Sequence, residues 1–287
     1  LIAVKSTFMP SHGQAGSNQF GHRLLIHPCA FRMVAEMTNS NTTVESAGEA
    51  QDEPSRDAVW EMFDKIAPRY DMLNRLLSLR RDVAWRKRMA TFLQKRSKIR
   101  LLDLATGTGD QILHFMDGGA DIASAVGMDM SEQMLAVGRE KMTKRGLQDN
   151  VELSRGDAVD VPVDSDAFDV TSISFGIRNV IDVSRALGEM RRVLKPGGCA
   201  LILEFSMPEN NMLRSVYTFY LRHILPVVGG LISGDMYAYR YLNKTIETFP
   251  YGDAFCELMR EAGFENTSAT PLTFGVASIY YGEKPEA

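Results

Sequence analysis

The stretch Ile99-Arg-Leu-Leu-Asp-Leu-Ala-Thr-Gly-Thr-Gly-Asp110 decides the fold. Its first seven residues form a short apolar run suited to a buried strand. Thr106-Gly107-Thr108-Gly109-Asp110 then breaks the run, and Gln111 to Met116 resumes with a helical pattern. Strand, glycine turn and helix in this order open an α/β unit, and residues without a Cβ let a ligand approach the backbone closely. A dinucleotide fingerprint fails because Ile112 stands where a third glycine is required. A phosphate loop fails because no Gly-Lys-[Ser/Thr] follows.

Downstream the same alternation continues. Strand-like Ala123 to Met128 ends at Asp129, helical Glu132 to Arg145 follows, and Val151 to Arg155 reads as a third strand closing near Asp157. Phe168 to Phe175, helical Val183 to Leu194, the turn Lys195-Pro-Gly-Gly198 and the strand Cys199 to Phe205 extend the βαβ rhythm. Met207 to Pro250 interrupts it as an insertion holding five of the nine tyrosines: Tyr217, Tyr220, Tyr237, Tyr239 and Tyr241. A helix from about Asp253 to Ala262 and strands near Glu265 to Thr270 and Phe274 to Tyr281 close the chain. Two strands with so short a connection pair as a hairpin, which predicts an antiparallel last strand in an otherwise parallel sheet.

Upstream, Val59, Met62, Phe63 and Ile66 fall on one helical stripe ended by Pro68, and further helices are predicted over Met72 to Leu79 and Val83 to Leu93. Leu1 to Glu53 is rich in Ser, Asn, Thr, Gly and Gln without an apolar period and reads as a disordered extension, leaving 54–287 as the folded domain. Before Glu36 it holds Lys5, Arg23 and Arg32 and no acid. Two readings stay open: an organellar transit peptide, or sequence upstream of a later start at Met33 or Met37.

Lys plus Arg number 32 against 36 Asp plus Glu, a formal net charge of −4, which argues against nucleic-acid binding by bulk positive charge. With 45% hydrophobic and 24% charged residues, the composition is that of an ordinary globular protein. Ile224 to Ile232, the longest strongly apolar run, is less than half of the roughly 20 residues a transmembrane helix needs. Cys29, Cys199 and Cys256 stand far apart, so no structural metal and a reducing, cytoplasmic compartment are expected.

The strand ends carry acids. Asp129 lies 26 residues after Asp103, where a carboxylate can accept hydrogen bonds from both ribose hydroxyls; Asp157 could take an adenine amino group. Asp103 could orient the glycine turn or sit near an ammonium. Each acid alone could equally be a helix N-cap or a solvated strand end. Together, with no phosphate loop, they suit a nucleoside ligand without phosphate at the carboxyl edge of the sheet.

These residues resemble the S-adenosylmethionine-dependent methyltransferases of the Rossmann-like class I fold. More narrowly, they resemble the quinone-ring C-methyltransferases of ubiquinone and menaquinone biosynthesis (UbiE type). The resemblance covers nearly all of Ala58 to Lys284. It rests on Met62-Phe-Asp-Lys-Ile-Ala-Pro-Arg-Tyr-Asp71 with Asn74 and Ser78, on Trp85-Arg86, and on Asp103-Leu-Ala-Thr-Gly-Thr-Gly-Asp110. Ile173-Ser-Phe-Gly-Ile-Arg-Asn179, Arg192-Val-Leu-Lys-Pro-Gly-Gly198, Leu203-Glu-Phe-Ser206 and Ala262-Gly-Phe264 complete it. It implies a mostly parallel seven-stranded sheet with an antiparallel last strand, N-terminal helices, and a helical insertion over 207–250 capping the active site. It also implies S-adenosyl-L-methionine as cofactor, held by Thr108 with Gly107, Gly109 and Asp103, by Asp129, by Asp157 with Ala158, and by Ser174. Two positions depart from the family pattern: Arg80 where many members carry Gly, and Tyr280 where His is common.

The implied reaction is C-methylation of a polyprenylated quinol, demethylmenaquinol favoured over a methoxy-polyprenyl-benzoquinol. Loss of a phenolic proton makes the ring carbon nucleophilic, so the site must supply a base or an aryloxide stabiliser. Arg178 is the first candidate stabiliser, because its guanidinium stays charged and offers a planar donor fork; a salt bridge is its alternative role. Asn179 would orient substrate or backbone, and Tyr70 and Asp71 would close the pocket, Asp71 serving as a base or as an N-cap. The aromatic insertion suits the isoprenoid tail, its outer face resting on the inner surface of a membrane or forming a homodimer or complex interface. A nucleic-acid methyltransferase is disfavoured, because Ser174-Phe-Gly-Ile-Arg-Asn179 replaces the Pro-Pro-aromatic turn that stacks a flipped base. A non-catalytic partner in quinone synthesis is the third reading.

Overall fold

The computed structural model describes Asp64, Ala67, residues 70–233 and residues 236–286. The stripe of Val59, Met62, Phe63 and Ile66, the extension Leu1 to Glu53, and the side chains of Tyr237, Tyr239 and Tyr241 lie outside the described residues.

In chain order the elements are α1 (Tyr70–Leu77), α2 (Arg81–Ala90), β1 (Ile99–Leu104), α3 (Asp110–Asp117) and β2 (Ile122–Asp129). Then come α4 (Glu132–Lys144), β3 (Val151–Arg155), β4 (Phe168–Ser174), α5 (Val183–Val193) and β5 (Leu194–Phe205). Helices α6 (Asn211–Phe219), α7 (Leu225–Ser233) and α8 (Met236–Thr248) fill the insertion, and α9 (Asp253–Glu261), β6 (Glu265–Leu272) and β7 (Ala277–Glu283) end the chain. A π-helical turn, Tyr220–Ile224, joins α6 to α7.

The seven strands lie in the order β3-β2-β1-β4-β5-β7-β6. β1 to β5 pair in parallel, and β7 runs antiparallel to both of its neighbours, as the short final connection predicts. The chain reverses its lateral direction between β1 and β4, and a crevice opens there at the carboxyl ends of the strands.

Both faces of the sheet are covered, which is why the strands read as near-continuous apolar runs. Leu101, Val170, Leu201 and Leu203 pack against Trp85 and Met89 of α2, Ile112 and Phe115 of α3, and Leu135 and Met142 of α4. On the other face Leu102, Leu104, Ile173 and Ile202 meet Ala186, Leu187 and Met190 of α5 and Phe255 and Met259 of α9. A third cluster of Met207, Leu221, Leu225 and Ile246 roots the insertion.

The turn expected at Lys195 to Gly198 lies instead within β5. Leu194 pairs with Phe168 and Cys199 with Val170, so the four residues between bulge opposite Asp169. Gly197 takes φ +71°, donates its N–H to Lys284 O at 3.0 Å, and leaves Gly198 O to accept from Lys284 N at 2.8 Å. The C-terminal segment thus satisfies the backbone groups that the bulge removes from the ladder.

Candidate active site

The glycine turn is held from beneath. Asp103, at the end of β1, accepts from Thr106 Oγ1 at 2.7 Å and from Ser172 Oγ at 2.5 Å. Burial pushes its carboxyl up to about 6, against the pull of these two hydrogen bonds. Gly109 sits at φ +75°, a backbone conformation that disfavours any side chain; a Cβ there would lie 2.5 Å from Met142 Cε, the movable end of its side chain. Gly107, at φ +57°, is different: a Cβ there would meet nothing within 4 Å, because this side of the turn faces a cavity.

That cavity measures about 920 Å³ including its mouth. Asp129 closes one side, its Oδ2 accepting from Gly107 N at 2.8 Å and its Oδ1 from Ser131 N at 2.9 Å. Burial raises its carboxyl above the ordinary range, while the backbone donors act in the opposite sense. Met130, Met134, Ala158 and Val159 make an apolar slot beside Asp157, whose Oδ1 accepts from Val159 N at 3.1 Å. At the other end stand Tyr70, Ser174, Phe175, Asn179 and Ile181.

Of the residues singled out in the sequence, Tyr70, Gly107, Asp129, Asp157, Ala158, Ser174 and Asn179 line this one cavity. Tyr70 is held neutral by burial, with Arg86, Asn74 and Arg178 offsetting part of that effect. Asn179 Oδ1 is buried without a hydrogen-bond partner. Ser174 donates to Gln111 Oε1 at 3.0 Å.

The structure places the others elsewhere. Thr108 is buried behind the turn, where its Oγ1 donates to Asp71 Oδ1 at 2.7 Å and accepts from Lys141 Nζ at 2.7 Å. Lys141 also pairs with Asp71 and, at 2.6 Å, with Asp110, to which Arg75 adds a contact at 3.1 Å. Burial would raise the Asp110 carboxyl, but Lys141, Arg86 and Arg75 outweigh it and hold it low. Asp71 therefore latches α1 to the back of the glycine turn, and its carboxylate is committed to a cation and a hydroxyl.

Arg178 is 5% exposed and faces a second cavity with Thr245, Phe249 and Leu258. Its Nη1 donates to Glu204 Oε1 at 2.7 Å and to Phe175 O at 2.7 Å, and its Cζ lies 5.2 Å from the Phe205 ring centroid. Burial raises the Glu204 carboxyl, opposed by Arg178. Glu204 and Lys141 received no role from the sequence. Glu204 carried a signal, an acid ending the apolar run Cys199 to Leu203; Lys141 had none on its helix. Tyr280 packs in the core against Phe255 and accepts from Gly252 N at 3.0 Å, away from the cavity.

The described lining residues include no Lys or Arg, so a phosphate would find no cationic partner there. Acidic acceptors, an apolar slot and an open glycine turn are instead groups that could hold S-adenosylmethionine: Asp129 could accept from ribose hydroxyls, Asp157 beside Ala158 from an adenine amino group, and Gly107 leaves room. Among the described residues no His, Cys, Asp and Glu cluster could hold a metal ion, and no helix is long and apolar enough to cross a membrane.

Comparison with known proteins agrees with this geometry. The chain is 46% identical over 224 residues to the demethylmenaquinone methyltransferase of Thermus thermophilus, covering 78% of this chain and 100% of that one. It is 43% identical over 228 residues to the ubiquinone/menaquinone biosynthesis C-methyltransferase of Geobacter sulfurreducens, covering 79% and 89%. Among solved structures, an S-adenosylmethionine-dependent methyltransferase from Thermotoga maritima shares the fold, with a TM-score of 0.56 at 20% identity, covering 78% of this chain and 99% of that one. The family model of the ubiE/COQ5 methyltransferases matches residues 49–284. The chain thus belongs to the ubiE/COQ5 methyltransferase family, with S-adenosylmethionine as its methyl donor.

Proposed function

We propose that this enzyme methylates a ring carbon of a polyprenylated quinol, with demethylmenaquinol the favoured acceptor. The observation that carries the reading is a single cavity joining the acids Asp129 and Asp157 to an aromatic and amide wall of Tyr70, Phe175 and Asn179. The name of the Thermus relative favours the naphthoquinol; the name of the Geobacter relative keeps the benzoquinol as the second reading.

Bound in the cavity, S-adenosylmethionine supplies an electrophilic methyl on its sulfonium. The chain's part is to hold the acceptor and manage its proton. A quinol hydroxyl titrates near a pKa of about 10, so its anion needs stabilising at neutral pH. Tyr70, neutral through burial, can donate a hydrogen bond to the developing aryloxide, and the unpartnered Asn179 Oδ1 can accept from a ring hydroxyl. Arg178 acts from behind this wall: its charge reaches Tyr70 while Glu204 fixes its guanidinium. The apolar walls exclude water from the ring.

Residues 54–287 are on this reading the catalytic domain, and 207–250 the cap over the acceptor. Along α6 and α7 the side chains of Met212, Val216, Phe219, Ile224 and Val227 are exposed on one apolar stripe, while Tyr217 and Leu221 turn inward. Exposed Arg222, beside the stripe, adds positive charge partly shared with Glu247. This combination suits contact with an anionic bilayer surface, from whose cytoplasmic face a tailed quinol would be drawn.

The test offers labelled cofactor with each of the two reduced quinones. Label in the naphthoquinol ring supports the favoured acceptor, label in the benzoquinol ring alone supports the second, and label in neither overturns the reading. Flotation with anionic vesicles checks the surface: Val216→Glu should abolish it, and a stripe buried in a solution dimer would overturn the membrane contact.

A further inference from the structure

Two large apolar side chains stand almost free of the fold: Leu79 is 82% exposed and Phe274 81%. Both sit on left-handed backbone, at φ +51° and +60°, which a residue with a side chain adopts only where its surroundings impose it. Those surroundings are firmly bonded. Ser78 Oγ donates to Asp82 Oδ1 at 2.8 Å and accepts from Asp82 N at 3.3 Å, which fixes the loop carrying Leu79 on the first turn of α2. One turn further, Trp85 Nε1 donates to Thr273 Oγ1 at 2.8 Å, and Gly275 O accepts from Ser206 Oγ at 2.8 Å, which fixes the connection carrying Phe274. Ala277 pairs with Phe205 at the end of β5, and Trp85 packs on Phe175 and Phe205, so both loops stand at the carboxyl edge of the sheet.

Each tip adjoins the insertion. Helix α1, which leads into Leu79, packs on α7, and a Cβ on Gly275 would lie 3.2 Å from Pro208 Cα, just ahead of α6. The charge beside Leu79 has one sign. Residues 80–100 hold nine Lys and Arg against the single acid Asp82, in a chain of net charge −4. Arg81, Ala84, Lys87 and Arg88 form the outward face of α2, and none of these cations pairs with a described carboxylate. Asp82 is buried and bonded to Ser78, and Asp117, which feels the charge of Lys87, is paired with Arg145.

We propose that Leu79 and Phe274 are two anchors that insert below the headgroups of an anionic bilayer, with Arg81, Lys87 and Arg88 on its phosphates. The inference rests on the membrane contact of the α6 and α7 stripe and adds the residues that orient the domain, presenting the carboxyl edge of the sheet to the lipid. A bilayer accepts separate apolar tips in any arrangement, whereas a protein partner would need a pocket for each. Lys95, Lys98 and Arg100 follow the far end of α2, roughly 15 Å of helix from Arg81 and beyond a Debye length of about 8 Å, so they take no part.

The test is sedimentation of the full chain with vesicles of phosphatidylcholine alone and of phosphatidylcholine mixed with phosphatidylglycerol. The unaltered protein should bind the mixed vesicles more tightly, and added salt should narrow the difference. Leu79→Ser and Phe274→Ser should each weaken binding about 10-fold, the scale of one large apolar side chain leaving lipid. Arg81→Gln should weaken it about 5-fold on the mixed vesicles alone, and Lys95→Gln should change nothing. All four side chains are exposed, so the variants should unfold at the midpoint of the unaltered protein. Leu79→Trp and Phe274→Trp should each add fluorescence that lipids brominated on their acyl chains quench.

Binding that Val216→Glu abolishes but Leu79→Ser and Phe274→Ser leave intact overturns the proposal and keeps the stripe as the membrane contact. Tip tryptophans that stay unquenched on bound vesicles overturn it too, and would turn the cationic face of α2 toward an acidic protein. Failure of the unaltered protein to bind either vesicle overturns this proposal and the membrane contact together.

Discussion

The Gly107 backbone N–H donates to Asp129 Oδ2 at 2.8 Å, so the glycine turn after β1 and the carboxylate that ends β2 are one unit. The same carboxylate accepts from Ser131 N at the head of α4, which ties the turn, the strand end and the helix start together. Asp129→Asn keeps the shape but turns an amide N–H₂ toward one of the two backbone donors. It should weaken cofactor binding about 10- to 100-fold and lower stability by about 1–3 kcal/mol, measured by calorimetric titration and urea unfolding. Unchanged affinity would remove Asp129 from the cofactor site.

The Arg178–Glu204 pair links the end of β4 to β5 through a bond of 2.7 Å inside the protein. Removing either partner leaves the other charge buried and unmatched. Arg178→Met or Glu204→Gln alone should cost about 3–5 kcal/mol, and the double variant should recover most of that loss. A urea double-mutant cycle gives the coupling directly. Activity follows a separate course: the double variant should remain folded and turn over slowly, because the charge reaching Tyr70 is gone.

Leu79 and Arg80 take φ +51° and +61° between α1 and α2, and Arg80 N bonds Arg75 O at 2.6 Å, closing the helix end. Left-handed backbone costs a side-chain-bearing residue about 1–2 kcal/mol, which is the physical content of the glycine that many family members carry at the position of Arg80. Arg80→Gly should raise stability by about 0.5–1 kcal/mol, after allowing for the extra freedom of Gly in the unfolded chain. Thermal unfolding should show the gain with turnover unchanged. A loss would mean that the arginine side chain supplies a compensating contact.

How far the fold could be read in advance depended on whether its cause was local. β3 appears at Val151–Arg155 as read, because the alternation of Val151 and Leu153 with polar residues has the strand period. The hairpin direction of β7 followed from a connection too short for a crossover. The facing of the glycine turn was not legible. Gly107 and Thr108 are adjacent, yet one opens to the cavity and the other is locked to Asp71 and Lys141 behind it, a difference set by packing against α1 and α4. Nor was the pairing of Arg178 with Glu204, which becomes local only when β4 and β5 lie side by side. The bulge at Lys195 to Gly198 likewise depends on Lys284, brought in by the last strand.

Asp103 gives the fold a titration that can be isolated. Its folded-state pKa, pushed up to about 6 by burial, lies above the value of about 3.9 for an unfolded Asp. Between those values the folded protein keeps a proton that the unfolded chain releases, so the contribution is full below about pH 4 and is lost as pH rises toward 6. The loss should be on the order of 3 kcal/mol, levelling above pH 6. Asp103→Asn preserves a neutral group, and the hydroxyls of Thr106 and Ser172 can rotate to donate or accept as needed. Urea unfolding from pH 4.5 to 8 should therefore show the variant gaining on the unaltered protein up to about pH 6 and keeping a constant lead beyond it. Parallel stability curves over that range would show that Asp103 is already ionised in the folded protein at pH 4.5, with Ser172 and Thr106 holding it as a carboxylate.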